Sequence, residues 1–136
     1  MKKLARIWFV CAFILFVVFI SIAFQTFKPI MNVQPDDVME VKGKVIGLKE
    51  GSGFDVFVKL ENDSHRYYIN RGLEFGLTME QLKKDILNKN VTLYPIERWT
   101  IFTPDKVMGH ISKIMVEDKV VFNEINNDIH EKTTGY

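Results

Sequence analysis

The chain has 136 residues, of which 47% are hydrophobic and 26% are charged, and its formal net charge is +1. Residues 1–27 form an apolar leader. The remaining residues, about 109, suffice for one domain with a modest core but not for two domains. This remainder carries two more acidic than basic residues. Nonspecific nucleic-acid binding depends on concentrated positive charge, so we expect no nucleic-acid partner.

The leader contains an almost unbroken apolar run from Ile7 to Phe24, preceded by Lys2, Lys3 and Arg6. A helix of about 18 residues is about 27 Å long, close to the roughly 30 Å hydrocarbon thickness of a bilayer. Because the basic residues precede the run, the positive-inside tendency places the N-terminus in the cytoplasm and the body outside. The run therefore predicts a single-pass anchor in the cytoplasmic membrane, with the lipid bilayer as its partner.

A cleaved secretory signal is the alternative interpretation of the same run. Ser21, Ile22 and Ala23 form a small-x-small motif, and cleavage near Ala23 would release a secreted body. The run is longer than the apolar core of a usual signal, about 7–15 residues, which favours an uncleaved anchor. Cys11 is the single cysteine and lies inside the run, so the body must be stable without an intrachain disulfide.

The segment after the anchor, residues 28–38, contains two prolines and little periodicity, which predicts an extended linker. Residues 39–122 form the predicted domain. Its first strand covers residues 39–48, because apolar and polar side chains alternate there. Gly43 and Gly47 within this strand predict a bend or a β-bulge.

Two further strands follow and should form a hairpin. Residues 54–60 alternate clearly, residues 61–64 favour a turn, and residues 65–70 alternate again. The side chains that this alternation turns inward are Phe54, Val56, Val58, Leu60, Tyr67 and Ile69.

The clearest helix signal begins at Thr78. Thr78 as the N-cap and Gln81 three residues later form a capping box, while Leu77 and Leu82 have the spacing of a hydrophobic staple. The polar residues 88–90 end the helix. Its apolar stripe should cover a barrel end or a sheet face.

The last part of the chain is less regular. Residues 91–94 predict a fourth strand, which Pro95 should bring near an edge or an end of the sheet. Residues 97–108 form the longest irregular stretch, and residues 114–122 predict a closing hairpin. Residues 123–136 are polar and aperiodic, which predicts a frayed tail.

The resulting order is strand, strand, strand, helix, strand, strand, with an added terminal strand. Over residues 39–122 this order resembles the OB-fold, a five-stranded Greek-key barrel with a helix between its third and fourth strands. An unrelated α+β sheet with one covering helix is the alternative. Residues 67–74, followed by a capped helix and Trp99, are also similar to small uncharacterised single-span bacterial proteins, a resemblance that implies no activity.

The OB resemblance implies a ligand surface on the outward face of the second and third strands. The loops that join strands one to two and four to five, residues 50–53 and 97–108, would border it. The residues that we expect at this ligand or partner surface are Phe57, Lys59, Arg66, Tyr68, Arg98, Trp99 and Phe102. The alternative is that the aromatic side chains complete the core or pack under the long loop.

Catalytic and metal chemistry have less support in the sequence. A nucleophile needs a base within hydrogen-bond reach, and Ser112 and His110 share a strand face, but no recognised elbow or oxyanion loop surrounds them. Familiar zinc-ligand spacings do not occur in the sequence, so we expect no metal and no cofactor.

These features favour a noncatalytic binding or interaction module, held outside a bacterial cytoplasmic membrane, for a protein or small-ligand partner. A structural subunit of an envelope complex and an immunity-type inhibitor of a secreted toxin are the alternatives from other classes. An enzyme with a noncontiguous site has the least support.

Overall fold

The computed structural model describes residues 1–126. Helix α1 (Lys2–Phe27) contains the whole apolar run, and none of its residues is buried. Its most apolar window has a mean hydropathy of 2.9. Within the described residues, this is the one helix that is long and apolar enough to cross a membrane, a property that signal sequences share. The predicted apolar N-terminal helix is therefore confirmed.

Within residues 28–126, six strands and a second helix follow α1. The strands are β1 (Val41–Glu50), β2 (Val56–Leu60), β3 (Tyr67–Ile69), β4 (Asn90–Glu97), β5 (Val107–Val116) and β6 (Lys119–Asn123). Helix α2 (Met79–Ile86) follows β3 and precedes β4 in the chain. The predicted order of elements is confirmed.

The strands close into a barrel. β1, β2 and β3 form an antiparallel meander, β1 also pairs with β4, and β4 pairs with β5. A parallel contact between β3 and β5 completes the ring, and β6 adds a sixth strand beside β5. The OB-like barrel is thus confirmed over the open α+β sheet. These strand directions place the loops after β2 and β4 at one end of the barrel and the loops after β1 and β3 at the other.

Strand β1 belongs to both halves of the barrel. Its first four residues pair with β4, and the residues from Val45 onward pair with β2. The register shifts between Val45 and Gly47, which is the irregularity that the glycine pattern predicts. A Cβ atom at Gly43 would lie 3.0 Å from Leu60 Cδ1, so glycine leaves room for the core side chain below it.

The contact that closes the ring depends on another glycine. Tyr68 of β3 pairs with His110 of β5. A Cβ atom at Gly109 would lie 2.1 Å from the backbone carbonyl oxygen of Arg66, well inside any distance that real Cβ atoms adopt. A side chain at position 109 would therefore force β3 and β5 apart.

The core fills the inside of the barrel and is covered by α2. Its buried apolar side chains are Val45, Val56, Val58, Leu60, Tyr67, Ile69, Leu82, Ile86, Val91, Leu93, Ile111 and Ile114. The inward faces predicted for the hairpin are confirmed, with one exception. Phe54 is 58% exposed, because it lies in a 3₁₀ turn (Ser52–Phe54) before β2 and has a φ of +68°, which removes it from the strand alternation.

Helix α2 begins where the sequence predicts. The Thr78 hydroxyl accepts a hydrogen bond from the backbone N–H of Gln81 at 3.2 Å. The Gln81 amide does not complete a capping box, because it donates along the helix to Asp85 Oδ2 at 2.8 Å. The helix ends before residues 88–90, since its C-cap, Leu87, already has an extended backbone.

Strand β4 continues beyond the predicted residues 91–94 and passes through Pro95. The prediction that Pro95 marks an edge or an end of the sheet was wrong, because β4 lies between β1 and β5 and Pro95 is fully buried. The register with β5 shifts on both sides of Pro95. Such an irregularity accommodates a residue that has no N–H to donate to the ladder.

Strand β5 is longer than the sequence indicates, because it begins at Val107 and includes residues 109–112. His110, Ile111 and Ser112 are all buried. Three consecutive buried residues, two of them polar, break the alternation of apolar and polar side chains in β5. The sequence pattern therefore does not indicate the first half of this strand. The irregular stretch is reduced to residues 98–106, which we call the β4–β5 loop.

The predicted linker, residues 28–38, is folded onto the barrel in its second half. Val33 is buried, and a 3₁₀ turn (Pro35–Asp37) follows it. Val38 then forms an antiparallel bridge with Ile96. An extended conformation throughout this segment is therefore not observed.

The first residues of the predicted tail are also attached to the barrel. β6 extends through Asn123, and the backbone N–H of Asn126 donates to the carbonyl of Val33 at 2.9 Å. Residues 127–136, on which the rest of the tail prediction falls, lie outside the described residues.

Candidate functional site

The outward side of β1, β2 and β3 carries a group of aromatic and basic side chains in register. Phe57 of β2 lies between Lys49 of β1 and Tyr68 of β3. Arg66, which directly precedes β3, lines the same surface groove as Lys59 of β2. We call these five residues the outer face. Four of them are among the predicted site residues, and Lys49 is an addition.

Two aromatic contacts hold the centre of the outer face. The ring centroids of Phe57 and Tyr68 lie 6.2 Å apart at an interplanar angle of 53°, and Tyr68 meets His110 edge-on at 5.7 Å. A Cβ atom at Gly51 would lie 2.4 Å from the Phe57 ring. Any side chain at Gly51 would therefore displace that ring, so the β1–β2 loop helps to position it.

An open groove of about 650 Å³ lies along the outer face. Its walls are residues 47–49 of β1, residues 57–59 of β2 and residues 63–67, which lead into β3. A groove of this volume is within the range of small-ligand sites. Lys49, Phe57, Lys59 and Arg66 line it, whereas Tyr68 lies outside the lining and neighbours the Phe57 ring.

The groove is positively charged. Lys49, Lys59 and Arg66 are exposed and form no ion pair within residues 1–126. Among residues 1–126, Asp63 is the single acidic residue of the lining, and it is already engaged, because it accepts hydrogen bonds from His65 and from the Tyr67 hydroxyl. The cations are therefore available to an anionic group from outside.

His65 connects one end of the groove to the β4–β5 loop. Its Nδ1 lies 2.6 Å from Asp63 Oδ1, and its Nε2 lies 2.6 Å from Asp105 Oδ2. The backbone N–H of His65 also donates to Asp63 Oδ1 at 2.8 Å, and the Tyr67 hydroxyl donates to Asp63 Oδ2 at 2.8 Å. We call this arrangement the histidine bridge.

The two carboxylates favour the charged form of His65. Hydrogen bonds with Asp105 and then with Asp63 raise the pKa of His65 above its ordinary value, although partial burial opposes the charge. The bond with His65 lowers the pKa of Asp105. Burial alone would raise the pKa of Asp63, but hydrogen bonds from His65 and Tyr67 outweigh it and lower that pKa. A protonated imidazole can donate to both carboxylates at once.

The other three predicted site residues lie on the β4–β5 loop and not on the groove walls described here. Trp99 and Phe102 are 46% and 72% exposed. The Arg98 side chain points towards the end of α1, where its Nη1 donates to the backbone carbonyl of Lys28 at 2.7 Å. Lys28 is the C-cap of α1. The predicted surface is therefore divided into the outer face and a loop that lies beside the end of α1.

The two loops predicted to border the surface lie at opposite ends of the barrel. Residues 50–53 begin at the last residue of β1, whereas the β4–β5 loop follows β4, and these strands run in opposite directions. The outer face lies between them. The histidine bridge is the contact that joins the β4–β5 loop to the groove.

The serine and histidine that share a face of β5 are arranged as a structural contact. Ser112 Oγ donates to Glu124 Oε1 at 2.9 Å, and His110 Nε2 contacts the same oxygen. Burial would raise the pKa of Glu124, but its bonds with His110 and Ser112 outweigh burial and lower that pKa. Because Ser112 is fully buried and its partner is Glu124, it is not placed to attack a substrate. These bonds attach the segment after β6 to β5.

In the part of the chain that the structure describes, no group of three His, Cys, Asp or Glu side chains is placed to hold a metal ion. Both ring nitrogens of His65 already face carboxylates. The histidine bridge is therefore a set of hydrogen bonds within the protein.

Sequence reasoning missed Lys49, the close approach of Gly51 to the Phe57 ring, and the histidine bridge. The β-bulge hides Lys49, because it shifts the alternation of β1 by one residue relative to β2. Asp105 reaches His65 across a separation of 40 residues, for which the sequence has no local signal. The sequence predicts a turn over residues 61–64 and places His65 in the following strand, so it does not indicate the contact between Asp63 and His65.

Comparison of the chain with protein-family models, curated proteins and solved structures finds no match. The similarity to small single-span bacterial proteins therefore stays a prediction. Function must be argued from the geometry and charge of the described residues.

Proposed function

We propose that the protein is a noncatalytic binding module, anchored by α1 in a bacterial cytoplasmic membrane and displayed outside it. Its outer face captures a ligand that carries negative charge beside an apolar or planar part. The ligand is a small molecule or an acidic segment of a protein. The groove along the outer face is the binding site.

The observation that supports this function most strongly is the uncompensated positive charge of the groove. Lys49, Lys59 and Arg66 are exposed and have no carboxylate partner within residues 1–126. Arginine presents a planar fork of donors that matches carboxylate or phosphate oxygens, and lysine adds mobile point charges. All three cations line the same groove, which favours the binding of an anion there.

Phe57 and its neighbour Tyr68 supply the apolar contact for the ligand. Phe57 is 39% exposed and rests between the backbone at Gly51 and the ring of Tyr68. A ring that is already held in place loses little conformational entropy on binding and offers a large apolar contact. The outer face is therefore suited to a ligand with both a charged group and an apolar group.

The membrane location is supported by α1 and by the charges before it. Its apolar run is long enough to cross a bilayer. Lys2, Lys3 and Arg6 favour a cytoplasmic N-terminus, which would leave the barrel on the outer side.

Site-specific photocrosslinking of the intact protein in its native membrane tests this function. A photoreactive amino acid at Lys59, in the groove, should form a defined adduct on irradiation, and the same amino acid at Lys83, on the exposed side of α2, should not. Arg66→Glu should weaken the adduct at position 59, because it reverses one of the two groove cations that remain once Lys59 is replaced. Equal adducts at both positions, or an adduct that Arg66→Glu leaves unchanged, would contradict the proposed groove.

The identity of the adduct separates the proposed function from its alternatives. A small anionic molecule or a transiently bound acidic protein fits a binding module. A stoichiometric membrane protein that also copurifies without crosslinking would indicate a structural subunit. A secreted toxin to which cells become sensitive on deletion of this protein would indicate an immunity-type inhibitor.

A further inference from the structure

The β4–β5 loop begins beside the place where α1 ends. Arg98, the first residue of the loop, donates a hydrogen bond to the backbone carbonyl of Lys28, the C-cap of α1. The apolar run of α1 ends at Phe24, so Lys28 is within about one helical turn of the apolar boundary. If α1 spans a bilayer, the start of the loop is held at the membrane surface.

The loop presents its apolar side chains outward. Trp99, Ile101 and Phe102 are 46%, 53% and 72% exposed, and we call these three residues the loop tip. Exposed apolar residues occur singly on most protein surfaces, but three within four positions of one short loop form a patch. Such a patch indicates contact with a partner or a membrane.

The hydroxyl and backbone groups of residues 98–103 are bonded to one another, whereas Asp105 and Lys106, at the other end of the loop, are exposed. Thr100 is 3% exposed, and its hydroxyl accepts hydrogen bonds from the backbone N–H groups of Phe102 and Thr103. The Thr103 hydroxyl donates to the carbonyl of Arg98 at 3.0 Å. Entry of backbone into a membrane is costly when its N–H and C=O groups lack partners. In this loop several of them are already satisfied, which lowers that cost.

We propose that the loop tip inserts into the interfacial region of the same bilayer that α1 spans. This inference rests on the membrane location in the proposed function, and it adds a second point of contact between the barrel and the lipid. Tryptophan favours the membrane interface, because its ring is apolar and its indole N–H remains near polar headgroups. Lys28 and Arg98 lie at the same level, where cations meet lipid phosphates.

Two points of membrane contact would fix the orientation of the barrel. The β4–β5 loop and the histidine bridge lie at the barrel end that faces the membrane, and the loops after β1 and β3 lie at the far end. The groove would then run away from the membrane surface. Its wall at residues 63–67 would lie nearest to the lipid. Arg98, Trp99 and Phe102, which the sequence predicts as ligand contacts, would then contact the membrane instead.

Depth-dependent fluorescence quenching of the full chain in vesicles tests this proposal. The chain has two tryptophans, Trp8 in α1 and Trp99, so that Trp8→Phe leaves Trp99 as the single reporter. The vesicles contain phosphatidylglycerol and phosphatidylcholine, the latter brominated either near the headgroup or near the end of the acyl chain. We expect Trp99 fluorescence to be quenched, and quenched more by the shallow bromines than by the deep ones.

Three variants make the outcomes distinguishable. Ile101→Asp with Phe102→Asp, in the Trp8→Phe background, should reduce the quenching of Trp99. Phe75→Trp, in a chain without Trp8 and Trp99, places the reporter on an exposed residue after β3, at the far end of the barrel, where we expect no quenching. Trp99→Phe leaves Trp8, which reports whether α1 is in the lipid.

Quenching of Trp8 without quenching of Trp99 would overturn the insertion of the loop and leave the anchored binding module intact. If neither tryptophan is quenched, α1 is not in the lipid, and the membrane location in the proposed function fails as well. Equal quenching from position 75 would show that the barrel has no preferred orientation and would also overturn the proposal.

Discussion

Gly109 shows how far a single residue determines this barrel. The parallel contact between β3 and β5 brings the carbonyl oxygen of Arg66 to the place where a Cβ atom would stand. Gly47, at the β-bulge, is different, because a Cβ atom there would lie 3.6 Å from Lys59 Cβ, an ordinary van der Waals distance. The two glycines should therefore respond differently to the same substitution.

Gly109→Ala should destabilise the folded state by about 3 kcal/mol, because the added methyl group must displace backbone. Gly47→Ala should change stability by no more than about 0.5 kcal/mol. Urea unfolding of the full chain in detergent micelles would measure both values. Similar losses for the two variants would show that the ring closure is not under steric control at position 109.

The histidine bridge should make the contact between the β4–β5 loop and the groove dependent on pH. The pKa of His65 is raised in the folded state, mainly by Asp105. A raised pKa contributes stability that is fully present below the unfolded value, about 6.5, and that is lost as pH rises through the folded value. The stabilisation by the bridge should therefore be present in mildly acidic solution and be lost as the pH rises through the raised pKa of His65 in the folded state.

An NMR titration of the imidazole signals of the full chain would measure this pKa. We expect His65 to titrate above its ordinary value and Asp105→Asn to bring it down, because the variant removes the largest cause of the shift. A His65 titration at or below the ordinary value in the unaltered chain would contradict the bridge.

At the scale of elements, α2 is the part that the sequence specifies best. Its start depends on a local rule, the hydrogen bond from the backbone N–H of Gln81 to the Thr78 hydroxyl. Local rules of this kind involve residues three or four positions apart, so a single sequence contains them in full. The side chain of Gln81 had a competing partner on the next turn, Asp85, and for this reason only half of the predicted capping box formed.

Thr78→Ala should destabilise the domain by about 1 kcal/mol through loss of the cap. Thr78→Ser keeps a hydroxyl at the same position and should retain most of the stability. Thermal or urea unfolding of the full chain would compare the three proteins. An unchanged midpoint for Thr78→Ala would show that the N-cap hydrogen bond does not contribute to stability.

The sequence predicts a strand correctly where buried apolar residues alternate with exposed polar ones. It does not predict a strand where polar residues are buried. β2 and β3 alternate, and their inward faces follow from the sequence. β5 buries His110 and Ser112, because Glu124 reaches back from beyond β6 to bind both. The missing N–H of Pro95 predicts a position at an edge or an end of the sheet, but the register shift between β4 and β5 removes that requirement. Each error comes from a contact between distant parts of the chain.

At the scale of the whole molecule, the order of elements was enough to predict the OB-like barrel, because the helix between the third and fourth strands is part of that topology. The candidate site was predicted less completely. The side chains of Phe57, Lys59, Arg66 and Tyr68 follow from alternation on one hairpin. The position of the β4–β5 loop depends on Arg98 and Lys28, which are 70 residues apart, so that only the structure places it beside α1.

The central claim is that α1 crosses a membrane and displays the groove on the outer side. Cysteine labelling in intact cells tests it most directly, since Cys11→Ser removes the single cysteine of the chain. In that background, Lys59→Cys should react with a membrane-impermeant maleimide in intact cells, and Lys3→Cys should react only after lysis. Both labels should remain in the membrane fraction at full chain length. Protection of position 59 until lysis, or its recovery in a shorter soluble chain, would contradict the anchored outward display of the groove.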